Sequence, residues 1–305
     1  MSHDRPDADR NARMMRRATY AAVAVAGCLI VAKLVAWLYT GSVSVLSTLV
    51  DSLLDLAAST VNLMAVRHAL TPADHEHRFG HGKAEPLAGL GQSAFIAGSA
   101  IFVLFEAGNK FVHPTPIAHG EVGIAVMVIS IALTLALVVY QRRVARMTGS
   151  LAISADSLHY KGDLLTNVGV MVALLVTMQY GWPIVDPLVG GGVAVFLLYN
   201  AAQIVRESLD MLMDRELPDE ERDAIKDIAL SHPEVTGMHD LRTRASGPTR
   251  FVQLHLEMDG AISLTRAHEI ADEVEERIMA RYPNAEVIIH QDPEGLEEPH
   301  VGLGG

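Results

Sequence analysis

Six long apolar runs dominate this sequence and constrain its fold more than any other feature. Each run approaches or exceeds the roughly 20 residues that an α-helix needs to cross a bilayer. They occupy residues 19–39, 42–70, 86–112, 122–140, 151–178 and 184–205. Half of the 305 residues are hydrophobic and the mean hydropathy is +0.25, which is high for a soluble protein. The sequence therefore predicts an α-helical membrane protein with six transmembrane helices.

The distribution of arginine and lysine predicts how these helices are oriented. Basic residues precede the first run, lie around the loops after the second and fourth runs, and follow the sixth run; the other loops are nearly free of them, apart from Lys110. These basic positions are Arg10, Arg13, Arg16, Arg17, Arg67, Arg78, Lys83, Arg142, Arg143, Arg146, Arg206 and Arg215. Because basic loops stay on the cytoplasmic side, we expect both termini in the cytoplasm.

After Leu217-Pro218 the apolar runs stop and the pattern becomes that of a small α+β domain. Periodicity predicts helices over 219–231 and 264–281, and strands over 235–243, 250–258 and 286–290. The resulting αββαβ order predicts one sheet with its helices on one face. We therefore expect an N-terminal cytoplasmic leader, a membrane domain, a cytoplasmic domain and a disordered tail, over residues 1–17, 18–207, 208–294 and 295–305.

Negative charge is concentrated in the soluble part. Residues 210–305 contain 9 Lys and Arg against 22 Asp and Glu, a net charge of −13, whereas the whole chain has −12. Such acidity argues against a nucleic-acid partner, which would need a basic surface. The single cysteine, Cys28, lies in an apolar run, so an intramolecular disulfide is impossible.

Ionisable residues inside the second and fifth apolar runs form the first candidate site. Asp51 and Asp55 are four residues apart, and His159 and Asp163 have the same spacing. Side chains at this spacing project from one face of a helix, and charges inside a membrane usually face a partner, a cavity or an ion. One imidazole and three carboxylates between two helices predict a four-ligand site for Zn²⁺, Mn²⁺, Fe²⁺, Co²⁺ or Cd²⁺.

Two further groups of ligand-type side chains lie outside the apolar runs. Asp74, His77 and His81 fall in the polar loop after the second run. The soluble domain carries a scattered set, namely His239, His255, His268, His290 and Asp292. Exposed polar side chains are the ordinary alternative for both groups. For the intramembrane residues, the alternative is pairing with Lys33 or Lys161, or hydrogen bonds between helices.

Several longer motifs contain these candidate residues and extend over residues 19–293. They include Asp51-x-x-x-Asp55, Phe79-Gly-His-Gly-Lys-Ala-Glu85, Ala155-Asp-Ser-Leu-His-Tyr-Lys-Gly-Asp163, His239-Asp-Leu-Arg-Thr-Arg244 and Ile289-His-Gln-Asp-Pro293. In these motifs the chain resembles the cation diffusion facilitator family, in its bacterial zinc and ferrous-iron efflux branch. The resemblance implies a homodimeric metal/proton antiporter of the bacterial inner membrane, with a metallochaperone-like cytoplasmic domain.

The resemblance also assigns roles to residues. It implies a transport site at Asp51, Asp55, His159 and Asp163, and a loop metal site at Asp74, His77 and His81. It implies a two-metal site in the cytoplasmic domain at His239, His255 and Asp292, with His268, His290 and Gln291. Lys83 and Asp214 match a charge pair near the dimer interface. A histidine at the position of His159 implies Zn²⁺ or Cd²⁺ as the exported ion, with Fe²⁺ and Mn²⁺ as alternatives.

Two other functional classes are alternatives to a transporter. An intramembrane metalloenzyme would need a motif such as His-Glu-x-x-His within a span. His268-Glu269 lacks the second histidine and lies in the soluble domain, which excludes that class. A membrane metal sensor that binds ions without transporting them stays open.

Overall fold

A computed structural model of the chain describes residues 6–40, 43–112, 121–182 and 184–295. Six long helices come first: α1 (Pro6–Thr40), α2 (Val43–Ala69), α3 (Ala84–Val112), α4 (Glu121–Thr148), α5 (Leu151–Tyr180) and α6 (Val185–Leu212). They are followed by α7 (Asp219–Leu230), β1 (Gly237–Ser246), β2 (Thr249–Met258), α8 (Leu264–Arg281) and β3 (Ala285–Pro293). Residues 6–17 of the expected leader form the first turns of α1, and residues 296–305 of the expected tail lie outside the described chain.

The chain divides along its length into two compact units, with the boundary between Asp210 and Met211. In the helical unit, α1, α2, α3, α4 and α6 are long and apolar enough to cross a membrane. Helix α5 has 30 residues and would extend about 45 Å, although its first half carries Asp156, Lys161 and Asp163. Large side chains such as Phe102 and Phe105 are exposed on this unit, which suits contact with lipid. The predicted membrane fold with six transmembrane helices is confirmed.

Small residues bring the membrane helices close together. Helices α3, α5 and α6 share a buried cluster that includes Ala100, Ala155 and Ala194. A methyl group added at Gly162 of α5 would lie 2.9 Å from Leu197 Cδ2 of α6, closer than van der Waals contact allows. Membrane helices associate largely through such packing, because lipid tails solvate apolar side chains as well as a neighbouring helix does. These contacts fix α5 against its neighbours at the level of its polar residues.

The second unit is a three-stranded sheet covered by two helices. Strand β2 is central, antiparallel to β1 and parallel to β3. Its alternate residues Val252, Leu254 and Leu256 are fully buried with Ile225 of α7 and Ile270 of α8. Both helices therefore pack against one face of the sheet and leave the other face open, as the αββαβ order predicts.

We expect the substitution Leu254→Ala to lower the free energy of unfolding of the soluble unit by about 3 kcal/mol, because it leaves a cavity in a packed core. Urea unfolding of a fragment covering residues 208–295, followed by circular dichroism, measures this change. Ile288→Ala on the open face is the matched control, since Ile288 is 53% exposed and should cost little. Equal losses in the two variants would contradict the assignment of the buried face.

Candidate metal sites

Three of the four predicted intramembrane residues meet between α2 and α5. His159 Nε2 lies 3.0 Å from Asp55 Oδ1 and 3.8 Å from Asp163 Oδ2. One ligand atom from each residue lies within 4.8 Å of the other two. The buried Asp163 Oδ2 accepts no hydrogen bond from any described residue. Two carboxylates and an imidazole at this separation have the donor set and the spacing of a site for a divalent transition-metal ion.

Asp51 does not join this cluster. It lies one helical turn before Asp55, and its side chain is exposed. Within the described ranges, Asp51, Asp55 and Asp163 make no ion pair with Lys33 or Lys161, whereas His159 and Asp55 do form a hydrogen bond between helices. Lys33 donates to Ser52 Oγ at 2.7 Å and to the Thr48 carbonyl at 3.0 Å. The ammonium group of Lys161 lies 4.4 Å from the ring centroid of Phe196.

A buried polar network lies next to the cluster on the N-terminal side of His159. Asp156, which is completely buried, accepts a hydrogen bond from Gln141 Nε2 of α4 at 2.5 Å. Ser59 of α2 lies 3.5 Å from the other oxygen of Asp156 and 2.7 Å from the hydroxyl of Tyr160. The network connects α2, α4 and α5, so it positions the helices that carry the cluster. Asp156 itself lies outside the group of ligand atoms.

The loop between α2 and α3 brings Asp74, His77 and His81 together as predicted, with ligand atoms within 4.8 Å of one another. His81 Nε2 lies 3.4 Å from Asp74 Oδ2, and His81 Nδ1 lies 3.3 Å from the carbonyl oxygen of Thr71. A proton on Nδ1 would be donated to that carbonyl, which leaves the lone pair of Nε2 directed at the cluster. Metal-binding histidines are usually oriented in this way.

Asp74 also organises the backbone of this loop. Its Oδ1 accepts hydrogen bonds from the backbone N–H groups of His77 at 2.6 Å and Glu76 at 2.9 Å. The His77 backbone bond is the largest cause that lowers the pKa of Asp74 below its usual value. Asp74 therefore stays ionised, and able to bind a cation, in mildly acidic solution.

The third group lies on the open face of the sheet. The register pairs His239 of β1 with His255 of β2, and His255 with His290 of β3. Asp292 Oδ2 lies 2.8 Å from His255 Nδ1 and 3.5 Å from His239 Nε2, while Asp292 Oδ1 lies 3.1 Å from His290 Nε2. One largely buried carboxylate therefore contacts imidazoles from three strands. His239, His255 and Asp292 place their ligand atoms within 4.8 Å of one another, a spacing that fits a metal ion.

Two acids near this group were not predicted from the sequence. Glu257 Oε1 lies 2.8 Å from His239 Nδ1. Asp240 lies 4.0 Å from His255 Nε2, at an irregularity in β1 where its φ angle is 47°. The strict alternation of Gln253, His255 and Glu257 along β2 is a signal that places Glu257 on the open face. The irregularity at Asp240 has no comparable signal in the sequence.

The structure does not bring His268 or Gln291 into the group. His268 is on α8, which covers the opposite face of the sheet, and it lies 3.6 Å from Asp272 one turn later. Gln291 pairs with Leu256 in the register, so alternation directs it away from the face that holds His290 and Asp292.

Asp214 lies 3.3 Å from Arg244, and the pairing of Lys83 with Asp214 stays a prediction.

Comparisons with known proteins identify the family. A model of the cation efflux transmembrane domain matches residues 19–213, and a model of the cation efflux protein cytoplasmic domain matches residues 217–294. The chain belongs to the cation diffusion facilitator family. The cation-efflux pump FieF of Salmonella agona is 50% identical over 281 residues, which are 92% of this chain and 93% of the pump. The same figures hold for FieF of Salmonella paratyphi A. The protein is thus a multi-pass membrane transporter of a cation-efflux family and not an enzyme.

Solved structures of similar proteins match about a quarter of the chain. The metal-bound C-terminal domain of the CzcD transporter from Thermotoga maritima is 29% identical and covers 27% of this chain and 100% of that domain, with a TM-score of 0.24. The cytosolic domain of a cation diffusion facilitator family protein is 31% identical and covers 25% of this chain and 93% of that domain, with a TM-score of 0.24.

We expect Glu257→Gln to weaken Zn²⁺ binding by the soluble unit about 10-fold to 100-fold, because Glu257 orients the imidazole of His239. Competition with a zinc-sensitive dye measures the affinity. Glu286→Gln is the control, because Glu286 is an exposed acid of β3 that pairs with Phe251 and not with a histidine. Unchanged affinity in Glu257→Gln would remove Glu257 from the site.

Proposed function

We propose that this protein is an antiporter that exports Zn²⁺ from the cytoplasm in exchange for protons. The observation that carries the proposal is the cluster of Asp55, His159 and Asp163 within two membrane helices. All three side chains keep some accessible surface, with exposed fractions of 17%, 12% and 38%. Membership of a cation-efflux family supports the same conclusion.

The proposed mechanism follows from competition for the same lone pairs. Metal ligands must be deprotonated, so Zn²⁺ entering from the cytoplasm displaces protons from His159 and the carboxylates. The helices then rearrange to open the site on the other side of the membrane, as alternating access requires. Protons from that side return to the ligands and release the ion. In this scheme Asp51 completes a four-ligand shell when α2 rotates, since it occupies the turn next to Asp55.

The remaining assignments are part of the same proposal. We place the protein in the bacterial inner membrane with both termini in the cytoplasm, because of its basic loops. The match to a cytoplasmic domain of the cation efflux family supports a homodimer, with Lys83 and Asp214 as the interface charge pair. The loop site at Asp74, His77 and His81 and the sheet site around Asp292 bind further metal ions, and those in the sheet bias the transport cycle by favouring the packed dimer.

Fe²⁺, Mn²⁺ and Cd²⁺ are the alternative substrates. One imidazole with carboxylates favours Zn²⁺ or Cd²⁺ over Mn²⁺, which suits carboxylate and water ligands. The FieF pumps are the relatives that support cation efflux rather than another activity. A metal sensor without transport would bind the same ions and produce no flux.

The test is Zn²⁺ uptake by liposomes that contain the purified full chain and a pH-sensitive dye. We expect uptake to be accompanied by alkalinisation of the lumen, and both signals to fall at least about tenfold in Asp55→Asn and in Asp51→Asn, because a ligand carboxylate is lost. The same assay with Fe²⁺, Mn²⁺ and Cd²⁺ ranks the substrates.

The control is Asp186→Asn. Asp186 is also an acid of a membrane helix, but it pairs with Lys110 at 3.2 Å and lies outside the cluster, so flux should be retained. Full flux in Asp55→Asn would overturn the proposed site. Zn²⁺ uptake without a pH change would overturn proton exchange, and binding without uptake would identify a sensor.

A further inference from the structure

The helical unit contains a basic groove whose lining does not include the metal-ligand residues Asp55, His159 and Asp163, although Lys161 of the lining lies between His159 and Asp163 in α5. It has a volume of about 290 Å³ and runs between the last turns of α4, the first turns of α5 and the last third of α6. Each helix contributes a stripe of residues at helical spacing. The polar lining consists of Arg142, Arg146, Ser154, Ser157, Lys161, Asn200, Gln203 and Glu207.

The positive charges of this groove are not neutralised within the described ranges. Arg142 and Arg146 make no ion pair there, and the Lys161 ammonium lies over the ring of Phe196 rather than against an acid. Glu207 is the single carboxylate of the lining, so three cations face one anion. Like charges held together in a groove stabilise a bound anion and repel metal cations. The groove is therefore separate in chemistry from the three metal sites.

A buried hydroxyl in the groove points independently to a ligand. Ser157 is only 4% exposed, and its Oγ has no hydrogen-bond partner among the described residues. An unpaired buried hydroxyl is unfavourable, and a ligand that accepts its hydrogen bond removes that cost. The amide of Asn200 donates to the Phe196 carbonyl at 2.7 Å and that of Gln203 to the Tyr199 hydroxyl at 3.1 Å. Each amide keeps a second N–H group that can donate to a ligand.

We propose that this groove binds the phosphate group of an anionic phospholipid. Arginine side chains bind phosphate through paired N–H donors, and Ser157 supplies a further donor. The position of the groove favours a lipid over a free ion, because Arg142 and Arg146 lie in the last turns of α4, which ends at Thr148. The end of a membrane helix lies at the depth of the lipid headgroups. Leu158 and Ile204 give the groove an apolar side for the rest of the lipid.

The experiment measures lipid binding by the purified full chain in neutral detergent. Short-chain phosphatidylglycerol and phosphatidylcholine are titrated separately, and bound lipid is counted by native mass spectrometry. We expect one saturable phosphatidylglycerol site and no matching phosphatidylcholine site. Each of R142Q, R146Q and K161Q should weaken binding about fivefold, the effect of one cation near an anionic lipid. Ser157→Ala should weaken it without changing the charge.

The matched control is Arg143→Gln, which removes an exposed charge from the same turn of α4 but not from the groove. An equal loss in Arg143→Gln would show general attraction to the basic surface and overturn the proposal. Equal binding of the two lipids would overturn it as well. If a low concentration of inorganic phosphate displaces the lipid, the ligand of the groove is a free anion, and the lipid proposal is overturned. Gel filtration and thermal melting identify any variant that fails to fold. In that case Ser157→Ala and the remaining single variants decide whether the groove binds the lipid.

Discussion

A carboxylate inside a lipid bilayer needs a counter-group, and this requirement determines how the helical unit is built. Asp55 meets His159 at 3.0 Å, and Asp163 lies one turn beyond on the same helix. The contact links α2 to α5. The network of Asp156 with Gln141 and Ser59 connects the same helices to α4 one turn away. The polar groups therefore define which helices are neighbours, and the small residues around them allow close packing.

Among the described residues, imidazoles and carboxylates form three groups with the spacing of a metal site, in different settings. In the membrane the carboxylates come from two helices, and one of their oxygens is left without a hydrogen bond. In the loop, backbone N–H groups hold Asp74 in place, so the site depends on the local turn. On the sheet, strand register holds the groups, and Asp292 is almost completely buried. The three groups therefore differ in the kind of backbone that supports them: packed helices, a local turn and paired strands.

Much of this arrangement could be predicted from the sequence because it depends on local periodicity. Apolar run length gives the six spans, and four-residue spacing gives the shared face of His159 and Asp163. What local spacing could not predict is how the elements face one another. Asp51 shares a helical face with Asp55, but the rotation of α2 leaves it exposed. His268 lies on a predicted helix, yet that helix covers the opposite face of the sheet. Glu257 was missed because alternation gives its face, whereas its contact with His239 depends on strand register.

The sharing of Asp292 among three histidines has a mechanical consequence. Because the imidazoles belong to β1, β2 and β3, an ion bound beside that carboxylate would crosslink the three strands. Separating any one strand would then require its ligand to leave the ion, which adds to the cost of breaking the hydrogen bonds between the strands. A bound metal ion would thereby make the three-stranded sheet more rigid, and a displacement of one edge strand would be transmitted to the other.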